Sequence, residues 1–227
     1  VGSTIIKQGI KGLMEDIASY FPHPRAHGPF YLANGEELYV DETGEPAGFV
    51  FKTLSDPYVG RMSFIKVLSG YLEPGMELTN ARSKKKERLS HLYVMMGKEP
   101  MDVKSAKAGD IIVVPKMNET KTGDTLSLSG NIEVDPLPSP VPLYPIALEA
   151  ENKKDEDKLG TFLSKQAEID PTLRLVRYEE THQQVVFTMG DMHVDVLLNK
   201  LKNQAKIEAH LVPVRIPVSY THLRAHE

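Results

Sequence analysis

Seven consecutive residues, Arg82-Ser83-Lys84-Lys85-Lys86-Glu87-Arg88, set five cations against one carboxylate. Flexible cations in so short a run suit a nucleic-acid backbone, where contact neutralises phosphates without reading sequence. The same run would also serve as a solvated hairpin loop that keeps a sheet edge soluble. Charge alone favours the solvated loop. The whole chain holds 27 Lys and Arg against 31 Asp and Glu, a formal charge of −4. It is no polycation, so a nucleic-acid contact must come from a local patch such as this one.

Other residues invite sharper chemistry and do not sustain it. Asn152-Lys153-Lys154-Asp155 fits N-K-x-D, a guanine-reading tetrad, and an apolar strand precedes it. Asp41-Glu42-Thr43-Gly44 fits D-x-x-G. No G-x-x-x-x-G-K-[ST] occurs anywhere in the chain, so nothing cradles the phosphates or holds Mg²⁺. Patterns of four residues with free positions recur by chance in charged sequences. His193 stands in Met189-Gly190-Asp191-Met192-His193, which reads as a helix start with Asp191 capping free N–H groups. No nucleophile or second histidine is spaced to work with it, so it reads as a packed or hydrogen-bonded structural residue. His23 and His27 are four apart, but the prolines around them place them in a loop. The absence of cysteine excludes disulfides, thiolate metal sites and Cys nucleophiles. No catalytic, cofactor-binding or metal-ligating residue is assigned.

The elements that carry these residues follow from periodicity and punctuation. Residues 4–21 read as a helix, with Ile6, Ile10, Leu13, Met14 and Ile17 in one apolar stripe, stopped by Pro22 and Pro24. A connector over 23–45 carries turn signals and at most a short hairpin at Asn34-Gly35. Residues 46–132 read as an antiparallel β-barrel or sandwich organised on 49–78. Phe49 and Phe51 share a face there, Asp56-Pro57 and Gly60 break the run, and Glu73-Pro74-Gly75 makes a tight turn. Later strands are expected at 89–96, 111–116 and 126–129, with Gly109-Asp110 and Gly123-Asp124 as turns. No internal repeat is apparent. The proline-rich stretch over 133–143 is a semi-rigid linker. Beyond it lie a strand at 144–150, a helix at 155–169, strands at 173–178 and 183–189, a helix at 194–202 and a strand at 205–212. That βαββαβ order is the split ferredoxin-like plan. No apolar run reaches the ~20 residues that a bilayer span needs. Val1 starts abruptly, as in a chain cut from something longer. The last ten residues, 218–227, read as non-native adaptor sequence, which removes His222 and His226 from consideration.

Several motifs in order resemble one family. The F-K-x-x-x-D-P-Y-V-G-R of 51–61 and S-G-x-L-x-P-G of 69–75 are followed by Lys84-Lys85-Lys86-Glu87-Arg88, Gly97-Lys98, Ala108-Gly109-Asp110 and Thr122-Gly123-Asp124. Together they resemble the second domain of elongation factor G and its relatives among ribosome-associated GTPases. Asp155-x-Asp157-Lys158-Leu159, Asp170-Pro171 and the 189–193 motif resemble the third domain of that family. Thr188 stands where elongation factor G usually has glycine, which marks a divergent or paralogous member.

The resemblance implies a multidomain β then α+β chain. A translation-factor β-barrel (46–132) is followed by a ferredoxin-like βαββαβ sandwich (144–217), and the N-terminal helix (1–22) is left from a GTPase domain. The parent protein would bind GTP and Mg²⁺ and drive movement on the ribosome in the cytoplasm. This chain would hold no cofactor and be catalytically silent. Its partners would be small-subunit rRNA and its own GTPase and distal domains, with no membrane and a monomeric state. Arg61, Arg82, Lys84, Lys85, Lys86 and Arg88 become the candidate ribosome contacts. Within the superfamily, ribosomal-protection (tetracycline-resistance) and peptide-release GTPases are alternatives. A generic β-barrel protein-binding module and a free-standing guanine-nucleotide enzyme are readings from other classes.

Overall fold

A computed structural model describes residues 2–26, 28–56, 60–97, 99–136, 138–178 and 183–215. His27, Pro57 and Lys98, and the tail at 218–227 with its two histidines, lie outside the described residues. The chain divides into two compact units, Val1–Pro136 and Leu137–Glu227.

In the first unit the helix α1 covers only Ile10–Tyr20. The stretch before it is a turn closed by a bridge between Ser3 and Gln8, because Lys7 and Gly9 adopt left-handed φ values of 54° and 75°. The apolar periodicity from Ile6 therefore overstates the helix by a turn and a half. No residue of α1 is buried, and Leu13, Met14 and Ile17 stay exposed. The connector does hold a hairpin, β1 (Phe30–Tyr31) with β2 (Glu37–Leu38), turned at Gly35.

The next strands are β3 (Ala47–Asp56), β4 (Gly60–Ser69), β5 (Tyr71–Leu72), β6 (Glu77–Asn80), β7 (Lys86–Arg88), β8 (Tyr93–Met96), β9 (Glu99–Asp102), β10 (Ala106–Lys107), β11 (Ile111–Pro115) and β12 (Thr125–Ser127). Eight of them form one antiparallel sheet in the order β7-β6-β12-β3-β4-β11-β8-β9, and β5 pairs with β10. The long pair β3–β4 is its centre. A bulge between Val50 and Lys52 leaves Phe51 unpaired. Phe51 then meets Phe64 edge-on outside, while Val50 and Thr53 face inward. The main core gathers Val50, Ile65, Leu78, Leu89, Leu92, Ile112 and Leu126, and a smaller cluster holds Leu32, Leu68 and Val134. Leu89 and Leu92 belong to the main core without being in a strand, so β8 is shorter than the apolar run at 89–96 suggests. At Glu73-Pro74-Gly75 the Met76 N–H donates to the Glu73 carbonyl, and Gly75 takes φ 91°, as the turn residues require.

Two turns repeat one design that the residue spacing does not announce. Lys107-Ala108-Gly109-Asp110 and Lys121-Thr122-Gly123-Asp124 each fold so that the aspartate carboxylate accepts the lysine N–H at 2.8 Å. The glycines adopt φ 102° and 94°, which a side chain would resist. Each turn then pairs with one buried valine by an exchange of backbone bonds. Gly109 N–H donates to the Val67 carbonyl and Val67 N–H to Asp110, while Gly123 and Asp124 do the same with Val50.

The second unit follows the expected βαββαβ order: β13 (Tyr144–Ala150), α2 (Glu156–Ile169), β14 (Arg174–Tyr178), β15 (Gln183–Thr188), α3 (Asp191–Lys200) and β16 (Ala209–Val212). Its antiparallel sheet runs β14-β15-β13-β16. Leu159, Leu163 and Gln166 of α2 and Val194 and Leu197 of α3 are the buried faces, as the spacing indicates. They pack with Ile146, Leu148 and Val186 of the sheet. A π turn over Leu201–Ala205 and a left-handed Lys206 stop α3 and delay the last strand to Ala209. Thr188 is fully buried and donates its hydroxyl to the Tyr144 carbonyl at 3.2 Å, so the departure from glycine gains a partner.

Candidate nucleic-acid interface

The basic run is half turn and half strand. Residues 81–85 turn the chain, and Lys86–Arg88 forms β7, the edge of the eight-stranded sheet. Alternation explains what the charge count hides. Glu87 points inward and is almost fully buried, while Lys86 and Arg88 face out on either side of it. The Glu87 carboxylate accepts the N–H groups of Glu119 (2.7 Å) and Thr120 (3.1 Å) and the Thr120 hydroxyl (3.1 Å), so its burial is compensated.

The turn is built on Asp124. Its carboxylate accepts Arg82 Nε at 2.7 Å and Nη2 at 2.9 Å, Asn80 Nδ2 at 2.7 Å and the Lys121 N–H at 2.8 Å. Burial alone would raise the Asp124 pKa, but the hydrogen bonds from Arg82, Asn80 and Lys121 outweigh it and hold it below the ordinary carboxylate value. Donating to Asp124 in turn raises the Arg82 pKa. Asn80, fully buried, accepts the N–H groups of Arg82 and Ser83 at 3.0 Å each, which fixes the start of the turn. Lys84 sits at a left-handed φ of 56° and donates Nζ to the Gly130 carbonyl at 3.2 Å. Lys85 donates Nζ to Glu119 Oε1 at 2.7 Å.

The six candidate cations thus fall into different environments. Arg82 is committed to Asp124, Lys85 to Glu119, and Lys84 to a backbone carbonyl. Lys86 and Arg88 are exposed and make no ion pair among the described residues. Arg61 lies apart on β4, with Nε and Nη2 shut off from solvent. Residue types and spacing do not single out Asp124, Asn80 or Glu119 as functional residues. The Thr122-Gly123-Asp124 motif is their only signal, and it reads as a turn.

The N-K-x-D residues lie at a strand–helix junction. Lys153–Asp155 forms a 3₁₀ turn there, Asn152 is exposed, and Lys158 Nζ holds Asp155 Oδ1 at 2.7 Å. Asp41 of the D-x-x-G is spent locally, accepting the N–H and hydroxyl of Thr43 at 2.9 Å. Among the described residues no group of three His, Asp or Glu could hold a metal ion.

His193 has a structural task, and the helix cap differs from expectation. Gly190 occupies the cap position at φ 148°, with no side-chain cap from Asp191. Asp191 is the first helical residue, and its carboxylate raises the pKa of the Tyr144 phenol. His193 Nδ1 accepts the Met189 N–H at 3.3 Å, and Nε2 faces Asp170 Oδ2 at 3.5 Å. The ring ties the start of α3 to the turn that closes α2. Replacing His193 with alanine is expected to cost about 1 kcal/mol, the worth of such a bond, read as a lower urea midpoint at unchanged slope.

Comparison with known proteins agrees with this architecture. The model of the family described as Elongation factor G domain 2 matches residues 45–129, and that of Elongation Factor G, domain III matches 139–213. A crystal structure of a protein from Thermus thermophilus is similar at 30% identity and a TM-score of 0.73, over 92% of this chain. The match spans 30% of that protein's chain.

Proposed function

Because the chain belongs to the elongation factor G family of translational GTPases, whose second and third domains it carries, we propose that it supplies the ribosome-contacting and coupling domains of a cytoplasmic elongation factor. The β unit would rest on small-subunit rRNA through the run at 82–88. The α+β unit would link a GTPase domain to distal arms. One observation carries the first half of this reading: the edge strand β7 offers Lys86 and Arg88 to solvent while Glu87 anchors the strand from within. Long cationic side chains on a rigid strand can meet phosphates without reading bases. Arg82 and Lys85 shape the turn behind them, Lys84 lies at its tip, and Arg61 lies apart, partly buried within β4. Pelleting with purified small subunits across a salt series tests the contact.

The GTPase step belongs elsewhere than in these residues. Without a phosphate loop, and with Asp155 held by Lys158, the chain is expected to show no saturable GTP or GDP binding at sub-millimolar ligand and no hydrolysis above blank. Isothermal titration with each nucleotide checks this. A micromolar single-site isotherm weakened by Asp155→Ala would restore the tetrad as a guanine site.

A further inference from the structure

Resting on the reading of 82–88 as a phosphate-binding edge, we propose that Glu119 acts as an internal stand-in for phosphate, keeping Lys85 off the nucleic acid and confining the contact to the outer face of β7. The placement of Glu119 is the ground for this. Both peptide atoms of that residue are clamped: its N–H donates to the buried Glu87 carboxylate at 2.7 Å, and its carbonyl accepts Arg82 Nη2 at 3.1 Å. The carboxylate is thereby presented to Lys85 and meets Nζ at 2.7 Å. The hydrogen bond from Lys85 also lowers the Glu119 pKa, so the pair stays charged at neutral pH.

An ordinary surface ion pair is worth little, because two mobile side chains must be ordered to form it. Here both side chains are about half exposed, 61% at Lys85 and 45% at Glu119, so the pair matters as a competitor for Lys85 and adds little stability. A phosphate that drew Lys85 away would leave the Glu119 carboxylate facing it, like charge against like. Lys86 lies opposite Thr79 and Arg88 opposite the exposed Glu77 of β6, and neither cation forms an ion pair among the described residues. They sit two residues apart on one strand face, about 6.7 Å along it, a step that neighbouring phosphates of one strand can match. The acidic side of the turn and the cationic side of β7 together orient a backbone along the edge strand. Lys85 then contributes nothing to the count of phosphates neutralised until Glu119 is removed.

The test uses the full chain and small ribosomal subunits, with Glu119→Gln, Lys85→Gln and the double variant. Glutamine keeps both backbone clamps. Glu119→Gln is expected to steepen the logarithmic salt dependence by about 0.7–0.9, one added contact, which is about threefold more affinity lost between roughly 50 and 200 mM salt. Lys85→Gln alone leaves the slope of the parent unchanged, and the double variant returns to it. A Glu119→Gln slope equal to the parent's, or a gain that survives in the Lys85→Gln background, overturns the stand-in role. So does a Lys85→Gln variant that loses slope by itself. Elution of the same four proteins from heparin separates this from the ribosome reading. If the parent fails to bind subunits, that reading falls, whereas later elution of Glu119→Gln that requires Lys85 still upholds the release of Lys85.

Discussion

Asp124→Ala lowers the stability of the β unit by about 2–4 kcal/mol at neutral pH. Its carboxylate is almost fully buried and takes four hydrogen bonds, from Asn80, twice from Arg82 and from the Lys121 N–H. Removing one partner of a buried pair costs about 3–5 kcal/mol, because the other charge is left uncompensated. Arg82 is about half exposed, with 47% of its side chain accessible, so water recovers part of that. Asn80, fully enclosed, recovers nothing and adds its own unmet donor. The measurement is a urea titration followed on the methyl resonances of Val50, Ile65 and Leu126, all in the core of the β unit. The signature in acid has a definite sign. The folded pKa of Asp124 lies below its unfolded value near ~3.9, so its contribution is complete above that value and is lost as pH falls through the folded pKa. Asp124→Asn therefore flattens the acid limb of the stability profile, while the parent's stability falls steeply there.

Asp124 does more than stabilise. It holds Arg82 and Asn80, which set the turn, and the turn delivers the chain into β7 in the register that buries Glu87. The cationic edge and a buried carboxylate some way downstream in the chain are thus one structure. An Asp124→Ala protein that still folds should present Lys86 and Arg88 less rigidly.

Much of this is legible in the residues alone. The second unit announces itself through periods that survive folding, since Leu159-Leu163 and Val194-Leu197 recur as helices and 144–150 runs as a strand. The centre of the β unit is legible for the same reason. What stays hidden depends on one residue reversing the sense of its neighbours. Glu87 turns a basic run into an edge strand, and net charge cannot reveal which way it points. Left-handed Lys7 and Gly9 break a helix that the spacing of Ile6 and Ile10 would continue. Asp191 has the right chemistry for a cap, but Gly190 takes the cap position with no side-chain bond, and the Met189 N–H goes to His193. The two Lys-x-Gly-Asp turns share too few letters to register as a repeat, though their hydrogen bonds match. Charge marks the basic run, the family resemblance makes it a candidate site, and its ordering by Asp124 and Glu119 needs the fold to bring 80–88 against 119–124.

The outer face of β7 is proposed to neutralise phosphates. The direct measurement is the binding of the full chain to purified small ribosomal subunits over a salt series, for the parent and for Lys86→Gln/Arg88→Gln. Both side chains are exposed and without an ion pair among the described residues, so the double variant is expected to keep the parent's stability within about 0.5 kcal/mol. Each lost contact removes about 0.7–0.9 from the logarithmic slope, so the variant should bind more weakly at low salt with a slope reduced by about 1.5. A parent that shows no salt-dependent binding, or a variant whose slope matches the parent's, would contradict the claim.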